Sequence, residues 1–173
     1  MITVTIATPA DIPELLPLVN SAFRGDPSRQ GWTTEADFLS GDIRTDADDM
    51  AALMARPGAV MLKASDEAGV VLGCVYLEKR GADLLYLGML SVRPELQGQG
   101  IGKVMLLKSE QRARELGCSA IAMRVLSPRH ELVAWYERHG YTPTGTREPF
   151  AAPSKFGVPL QALDFIVLQK MME

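Results

Sequence analysis

Three glycines, Gly98, Gly100 and Gly102, alternate with other residues just before Lys103. The segment lies between a predicted buried strand and a predicted amphipathic helix. Glycines allow several backbone N–H groups to converge with no side chain in the way, and the N-terminus of a helix attracts anions through its dipole. The spacing therefore predicts an anion site, and a pyrophosphate group is the ligand we expect there.

Two familiar phosphate-binding motifs do not match this segment. The dinucleotide-binding fingerprint requires the spacing G-x-G-x-x-G, and the P-loop requires Ser or Thr directly after Gly-Lys, where this chain has Val104. A glycine turn that binds no ligand is the alternative interpretation.

Besides the glycine turn, Tyr136 is a residue whose type and position suggest a role in catalysis. It lies between Trp135 and Gly140, near the end of a predicted helix. Packing in the core explains an aromatic residue at such a position equally well. A phenol O–H can also donate a proton to a departing group as a bond breaks.

The pattern of apolar residues predicts the elements that position these two segments. Residues 84–92 are apolar at nearly every position, which indicates a central strand buried on both faces. An apolar stripe predicts a helix from about 100 to 116. The other predicted elements are a strand over 2–6, a helix to about Phe23 that Pro17 bends or delays, one or two short helices within the loop 24–49, strands over 59–64 and 70–79, a strand over 119–125, a helix over 127–139, a short strand over 141–145, a loop over 146–160 and a strand over 163–168. This order predicts an α/β domain in which helices cover a mixed sheet.

Composition and charge are those of an ordinary globular domain. The 173 residues suit a single domain over 1–173, and contents of 47% hydrophobic and 23% charged residues argue against disorder. A formal net charge of -3 differs from the basic excess typical of nucleic-acid-binding proteins. Because no apolar run approaches a membrane span and the first residues lack a signal-peptide pattern, we expect a cytoplasmic protein with no membrane or nucleic-acid partner.

The two cysteines, Cys74 and Cys118, and the two histidines, His130 and His139, show no paired ligand spacing. We therefore expect no metal site. The small and apolar neighbours of the cysteines predict buried, reduced thiols.

Two signatures make the chain resemble the GCN5-related N-acetyltransferase (GNAT) family. The first is Gln97, two residues, Gly100, one residue and Gly102, and the second is the segment from Trp135 to Tyr141. The resemblance implies a GNAT-type mixed, mostly antiparallel central sheet of about six to seven strands flanked by helices. It also implies acetyl-CoA (coenzyme A) as the co-substrate.

The resemblance also implies roles for particular residues. Tyr136 would protonate the sulfur that leaves the thioester, and the backbone N–H of Leu90 would stabilise the carbonyl oxygen. The strand that contains Leu90 would pair with the pantetheine arm. The residues implied to bind the cofactor are Leu90, Ser91, Val92, Gln97, Gly98, Gln99, Gly100, Ile101, Gly102, Lys103 and Ser127.

Two positions depart from the family pattern. Tyr86 occupies the position at which some members carry a glutamate general base, and the nearest acids are Glu78 and Asp83. Ordered water, Glu78 and Tyr86 therefore all remain candidates for accepting the proton of the amine. Ser127 stands where many members have an asparagine that contacts the cofactor, and we expect its hydroxyl first of all to cap the following helix.

Acceptor specificity in the family usually lies in the early helices and in the loop before the last strand. Residues 24–49 contain seven acidic residues against three arginines, which predicts attraction of a cationic amine. Trp32 suits a cation–π contact and Lys155 a substrate carboxylate. A solvated acidic surface is the alternative. The residues suggested for substrate binding are Arg29, Trp32, Glu35, Glu78, Tyr86 and Phe150, with Phe156 beside Phe150 in the opposite wall.

Together these patterns predict an acetyl-CoA-dependent N-acetyltransferase. It would transfer an acetyl group to a primary amine of a small molecule or a protein by direct attack in a ternary complex. A noncatalytic acyl-CoA-binding or sensing domain and an acyltransferase that uses a longer acyl-CoA are the alternatives. The sequence also leaves open whether the chain forms a homodimer.

Overall fold

A computed structural model describes all 173 residues. Its centre is a sheet of seven strands in the order β1-β2-β3-β4-β5-β7-β6. Only β4 and β5 are parallel, and all other neighbouring strands are antiparallel. The strands are β1 Thr3–Ile6, β2 Ala59–Ser65, β3 Val71–Arg80, β4 Leu84–Val92, β5 Ala120–Leu126, β6 Thr142–Pro149 and β7 Asp164–Met171. The predicted mixed, mostly antiparallel sheet is confirmed.

Helices cover both faces of the sheet. They are α1 Ile12–Phe23, α2 Gly25–Ser28, α3 Ala47–Met54, α4 Ile101–Glu115 and α5 His130–Arg138. One core cluster joins the sheet to α4 and α5, and it includes Met105 and Tyr136. The other joins the opposite face to α1 and α3, and it includes Leu15 and Met50. No helix combines the length and the apolar character that a membrane crossing requires.

Strands β4 and β5 separate soon after they pair. Their ladder joins only Leu84–Tyr86 to Ala120–Ala122, although both strands continue beyond it. From Tyr86 onward the two strands diverge and leave a gap in the middle of the sheet. This gap contains the candidate site.

A β-bulge reverses the side-chain directions in β4. Opposite Cys74 and Tyr76 of β3 lie Ser91 and Gly88, so β4 has one residue more than β3 between these pairs. Met89 lies in this stretch with a positive φ of 50°, which is rare for a residue other than glycine. The bulge places residues 89–90 outside the ladder with β3.

The structure corrects the prediction that β4 is buried on both faces. Its residues alternate between half-buried and buried, and half-buried residues of the strand face the gap. The apolar sequence was therefore a correct sign of a central strand but not of complete burial. The apolar residues that face the gap form the wall of a cavity.

Pro17 lies inside α1 and does not delay it, since the helix begins at Ile12. The missing N–H of Pro17 leaves the carbonyl of Pro13 without its helical donor. Both prolines are exposed, so water can satisfy that carbonyl. The expected delay of the helix was therefore wrong.

Other boundaries differ by a few residues. α3 continues to Met54, beyond the predicted loop 24–49, and α5 begins only at His130. β6 extends to Pro149 into the predicted loop. This strand lies at the edge of the sheet and is exposed along most of its length, so its sequence lacks the apolar alternation that marks a half-buried strand.

Candidate active site

The gap between β4 and β5 is a cleft of about 350 Å³. Its walls come from β4, β5 and α5, from the end of α1 and residues 32–44, and from Phe165 of β7. The turn before α4 lies at the end of the cleft that follows Val92. The cleft therefore brings the two chemistry-bearing segments of the sequence, the glycine turn and Tyr136, into one site.

The glycine turn meets the requirements of an anion site. Gly98 and Gly100 adopt positive φ values of 82° and 86°, and a Cβ added to either would meet nothing within 4 Å. Gly100 is the N-cap of α4 and has no side-chain cap, so the first N–H groups of the helix have no side-chain acceptor there. Left-handed backbone, open space and a helix N-terminus together fit a pyrophosphate group.

Gln97 connects the turn to two other parts of the cleft. Its amide nitrogen donates a hydrogen bond to the carbonyl of Val92 at 3.1 Å, and its Oε1 accepts one from the backbone N–H of Trp32 at 2.9 Å. A Cβ on Gly31 would collide with that same Oε1. The side chain of Gln97 therefore holds the turn, β4 and residues 31–32 together.

Tyr136 lies in the wall of the cleft and is 4% exposed. Its ring packs edge-on against Trp135, with centroids 5.1 Å apart, and against Tyr141 at 5.8 Å. Burial raises the pKa of the Tyr136 phenol above its ordinary value of 10.0. The hydroxyl therefore keeps its proton at neutral pH, as a general acid must.

The backbone of β4 beside the bulge is available for contacts with a ligand. Leu90 lies beyond the ladder with β5 and outside the ladder with β3, and both Met89 and Leu90 line the cleft. An extended ligand in the gap would lie where the next strand of the sheet would otherwise be.

Glu35 is buried in the wall between two arginines. It accepts hydrogen bonds from Arg24 Nε at 2.9 Å and from Arg129 Nη1 at 3.1 Å, and all three side chains are less than one-tenth exposed. Burial alone would raise the pKa of Glu35, but the charges of Arg129, Arg44 and Arg24 outweigh it and lower the pKa. Glu35 therefore organises arginines and is not free to bind a cationic amine.

We expect Glu35→Gln to lower the free energy of unfolding by about 3–5 kcal/mol, because it leaves two buried guanidinium charges without their carboxylate. The lowered pKa of Glu35 means that its contribution to stability is complete above the ordinary value of 4.5 and is lost as the pH falls through the folded-state value. Denaturant unfolding of both proteins, from neutral to acid pH, measures the difference and its disappearance on acidification.

The matched control for this variant is Asp37→Asn. Asp37 pairs with Arg29 at 2.6 Å, but both side chains are about half exposed. Its loss is expected to change the free energy of unfolding by less than about 1 kcal/mol. Equal effects of the two substitutions would contradict the structural role given to Glu35.

Two further arginines line the cleft without any acceptor. The side chains of Arg44 and Arg124 make no hydrogen bond or ion pair, whereas Glu35 already has two partners. The guanidinium carbon of Arg44 lies 4.8 Å from the ring centre of Phe23, and that of Arg124 lies 4.4 Å from that of Phe165. Each guanidinium thus rests on an aromatic ring with its N–H groups free.

The structure brings most of the predicted cofactor residues to the cleft. Leu90, Val92, Gln97, Gly98, Gly100, Ile101, Gly102 and Lys103 line it. Ser91 does not, because it is buried and donates to the carbonyl of Met89. Gln99 is exposed outside the cleft.

Ser127 also lies outside the cleft lining and does not cap the following helix. Its hydroxyl bonds to the carboxylate of Asp164, and the N-cap position of α5 belongs to Arg129. The expected capping role of Ser127 was therefore wrong.

The predicted substrate residues divide into two groups. Trp32, Glu35 and Tyr86 line the cleft, whereas Arg29, Glu78 and Phe150 do not. Glu78 accepts a hydrogen bond from Tyr76 at 2.7 Å and pairs with Arg56 and Arg80. Phe150 lies behind Phe165, with ring centres 5.8 Å apart.

The loop before β7 contacts residues 38–46, but Phe150 and Phe156 do not form the predicted opposite wall, because neither lines the cleft. Leu39 bridges to Pro159, and Lys155 pairs with Asp46 at 2.8 Å. Lys155 is therefore occupied and does not line the cleft. Phe165, at the start of β7, is the aromatic residue that forms this wall.

Sequence reasoning missed the arginines of the cleft. Of the seven acidic residues within 24–49 only Glu35 lines the cavity, while Arg44 lines it as well. The expected acidic attraction is therefore absent from the cleft itself. A signal did exist for Arg124, which is the single charged residue in the otherwise apolar strand β5.

Cys74 and Cys118 are free and buried, as predicted, and burial raises the pKa of Cys74 to about 12. No group of three or more His, Cys, Asp or Glu side chains is arranged to hold a metal ion. The arrangement that remains for chemistry is the glycine turn, the open backbone of β4 and the phenol of Tyr136.

Comparisons with known proteins identify similar chains. A mycothiol acetyltransferase from Mycobacterium sp. (strain MCS) is 29% identical over 152 residues, which are 86% of this chain and 48% of that protein. The chain thus spans about half the length of these curated relatives, the mycothiol acetyltransferases. Among solved structures, the ribosomal-protein-S18-alanine N-acetyltransferase from Escherichia coli has a TM-score of 0.74 at 15% identity, covering 100% of this chain and 95% of that one. The yncA protein from Salmonella typhimurium, solved with its cofactor acetyl-CoA, has a TM-score of 0.70 at 21% identity over 100% and 95% of the two chains.

These structural likenesses show the fold, and a family profile shows the membership. The profile described as the acetyltransferase (GNAT) family matches residues 18–141, a range that contains the glycine turn, Tyr136 and most of the cleft. The chain belongs to the GNAT acetyltransferase family.

Proposed function

We propose that this chain is an acetyl-CoA-dependent N-acetyltransferase domain that transfers an acetyl group directly to a primary amine. The observation that carries the proposal is that one cleft contains three features. They are the open glycine turn, the unpaired backbone of β4 near Leu90 and the protonated phenol of Tyr136. Relatives named for mycothiol and for a ribosomal-protein alanine differ in their acceptors, so the acceptor is not transferred from either name.

In this proposal the turn from Gln97 to Lys103 holds the pyrophosphate of the co-substrate. Its backbone N–H groups and the N-terminus of α4 supply the attraction, and Lys103 adds a charge at the same end of the cleft. The unpaired backbone of β4 near Leu90 supports the pantetheine arm as an adjacent strand would.

Acetyl-CoA supplies the acetyl group as a thioester. The amine nitrogen forms a bond to the carbonyl carbon, and the carbon–sulfur bond breaks. The phenol of Tyr136 gives its proton to the departing sulfur, and the proton of the amine leaves to solvent. The phenolate of Tyr136 then regains a proton from solvent, which restores the general acid. The backbone N–H of Leu90 stabilises the carbonyl oxygen as negative charge gathers on it.

The cleft offers no free carboxylate as a general base. Glu35 is held by two arginines, and Glu78 lies outside the cleft with three partners. Tyr86 lines the cleft, but the guanidinium of Arg80 covers its ring at 3.8 Å. We therefore favour water as the proton acceptor.

The test of this function is release of free CoA thiol from acetyl-CoA in the presence of a panel of primary amines. The N-acetylated products are identified by mass spectrometry, and acetyl-CoA binding is measured separately by calorimetry. Binding without turnover on any amine would favour a noncatalytic sensing domain. Faster turnover with longer acyl-CoAs would favour the other alternative.

Trp32→Ala is expected to raise the KM of a confirmed acceptor by about 10-fold, because it removes an aromatic wall of the cleft. Its effect on acetyl-CoA affinity should be small, since the bond from this residue to Gln97 uses the backbone N–H and survives the substitution. Steady-state kinetics with the acceptor varied measure the change.

The control for Trp32 is Ile43→Ala, at a residue that is similarly exposed but does not line the cleft. If both variants keep the KM of the parent protein, Trp32 does not contact the acceptor. The choice between a small-molecule and a protein amine, and formation of a homodimer, stay predictions that the product analysis and analytical ultracentrifugation address.

A further inference from the structure

The charges of the cleft are strongly one-sided. Its lining contains a single acidic residue, Glu35, against five basic ones. The basic residues are Arg44, Lys103, Arg124, Arg129 and Arg138. Since Glu35 is already shared between Arg24 and Arg129, the cleft presents net positive charge to whatever enters it.

Two of these arginines lie far from the glycine turn. Arg124 follows the residue of β5 that pairs with Tyr86 by only two positions, so it lies where the strands begin to diverge. Arg44 lines the same cleft as Tyr86 and Arg124, and burial together with the nearby charge of Arg124 lowers the pKa of Arg44. The turn lies beyond Val92, six strand positions from Tyr86 and so about 20 Å along β4. Arg44 and Arg124 are therefore too distant to serve the pyrophosphate.

The arginines at this end have hydrogen-bonding capacity that nothing in the chain uses. Arg44 and Arg124 have no acceptor for any guanidinium N–H. Arg129 is 3% exposed, lines the cleft, and its Nε has no hydrogen-bond partner. Arg44 is half-buried and Arg124 is exposed, so water reaches both guanidinium groups, whereas the buried Nε of Arg129 has no acceptor. A buried donor without an acceptor is costly, so Arg129, with the two free guanidinium groups in the same cleft, points to an acceptor group that arrives with a ligand.

We infer that the amine acceptor also carries an anionic group, a carboxylate or a phosphate, which Arg44 and Arg124 bind where β4 and β5 begin to diverge. This inference rests on the proposed N-acetyltransferase function and narrows its substrate to anionic amines. Guanidinium groups stacked on aromatic rings present their N–H edges to planar or tetrahedral oxygen anions. Polycationic acceptors such as polyamines are excluded, because the same charges repel them.

The arginines also offer an explanation of how the amine could lose its proton without a general base from the protein. Positive charges close to an ammonium group favour its neutral form and lower its pKa. The anionic group holds the acceptor in place, while the remaining positive charge promotes loss of the proton to water. An acceptor bound here therefore needs no carboxylate base from the protein.

The experiment compares matched acceptors that differ only in the anion. L-amino acids are compared with their carboxamides, and phosphoethanolamine with ethanolamine, in the thiol-release assay. The carboxylate or the phosphate member of each pair is expected to have a kcat/KM at least about 10-fold higher. The two kinds of pair distinguish a carboxylate from a phosphate ligand.

Arg44→Gln and Arg124→Gln are expected to reduce the kcat/KM preference for the anionic member of each pair by about 10-fold or more. The change should come mainly through KM and leave acetyl-CoA affinity unchanged. The control is Arg114→Gln, an exposed arginine of α4 outside the cleft. Equal kcat/KM values within every pair, or unchanged preference in both variants, would overturn the inference.

A binding measurement separates this inference from the proposed activity. Binding of N-acetyl-L-amino acids and of their amides is followed by ligand-observed NMR in the presence of CoA, with and without Arg44→Gln. Preferential, Arg44-dependent binding of the carboxylates would support the anion site even if no amine were acetylated. Absence of acetylation would count only against the proposed N-acetyltransferase activity. Absence of such binding would overturn the inference even if other amines were acetylated.

Discussion

Gly100→Val is expected to lower the affinity for acetyl-CoA by about 100-fold or more, because at least two charge-assisted hydrogen bonds to the pyrophosphate are lost. Gly100 has a φ of 86°, and the space beyond its missing Cβ is open. A valine side chain would occupy that space and also disfavour the left-handed backbone. Calorimetric titration with acetyl-CoA measures the loss.

A matched substitution separates binding from strain. Gly69 has a nearly identical φ of 82° and equally open surroundings, but it lies in the turn between β2 and β3. Gly69→Val should therefore cost similar stability, of about 1–2 kcal/mol, and leave acetyl-CoA binding intact. If Gly100→Val bound acetyl-CoA as tightly as Gly69→Val does, the cofactor site would have to lie elsewhere.

Tyr136→Phe is expected to reduce kcat by about 100-fold while changing acetyl-CoA affinity little. The substitution removes only the hydroxyl and keeps the ring that packs against Trp135 and Tyr141. The departing sulfur then leaves without a proton donor, so the loss belongs to the chemical step. Single-turnover kinetics with a confirmed acceptor measure that step directly.

The pH dependence gives a second measure of the same residue. Because burial raises the pKa of Tyr136 above 10.0, the parent enzyme should lose no activity through ionisation of this phenol from neutral pH to about that value. If kcat of the parent protein fell within this pH range while kcat of Tyr136→Phe did not, the phenol of Tyr136 would ionise more easily than its burial allows.

Tyr141→Phe is the control for Tyr136→Phe. Tyr141 is fully buried, and its hydroxyl donates to Glu110 at 3.0 Å outside the cleft. Its loss is expected to lower the melting temperature but to preserve turnover per folded molecule. Equal turnover in Tyr136→Phe and the parent protein would remove Tyr136 from the mechanism.

Local patterns along the chain were sufficient for the central part of the fold. The apolar segment 84–92, the glycine turn and the helix after it follow one another within a short stretch of sequence, and all lie where they were predicted. Their boundaries depend on neighbouring residues, such as the left-handed Gly100 that begins α4. The edge strand β6 was misjudged because its exposed residues follow no apolar period.

The arginine-rich end of the cleft could not be predicted in the same way. Arg24 and Arg129 contact Glu35, although they lie more than 100 residues apart in the chain. Arg44 and Arg124 come from two further places in the chain and line the same cleft. The acidic composition of 24–49 suggested a negative pocket, yet most of those acids face away from the cleft. Net charge along a segment does not determine which side chains a cavity contains.

The amino-acid sequence was sufficient to predict the family, which the family profile confirms, and to single out the glycine turn and Tyr136. Each of these signals consists of residues close to one another in the chain, whose spacing sets the local backbone. The separation of β4 and β5, the side chains that face the gap and the arginines that remain without partners became visible only in the three-dimensional structure. Those features depend on contacts between distant segments. The free energy of burying or pairing a charge is set by that three-dimensional environment and not by its neighbours in sequence.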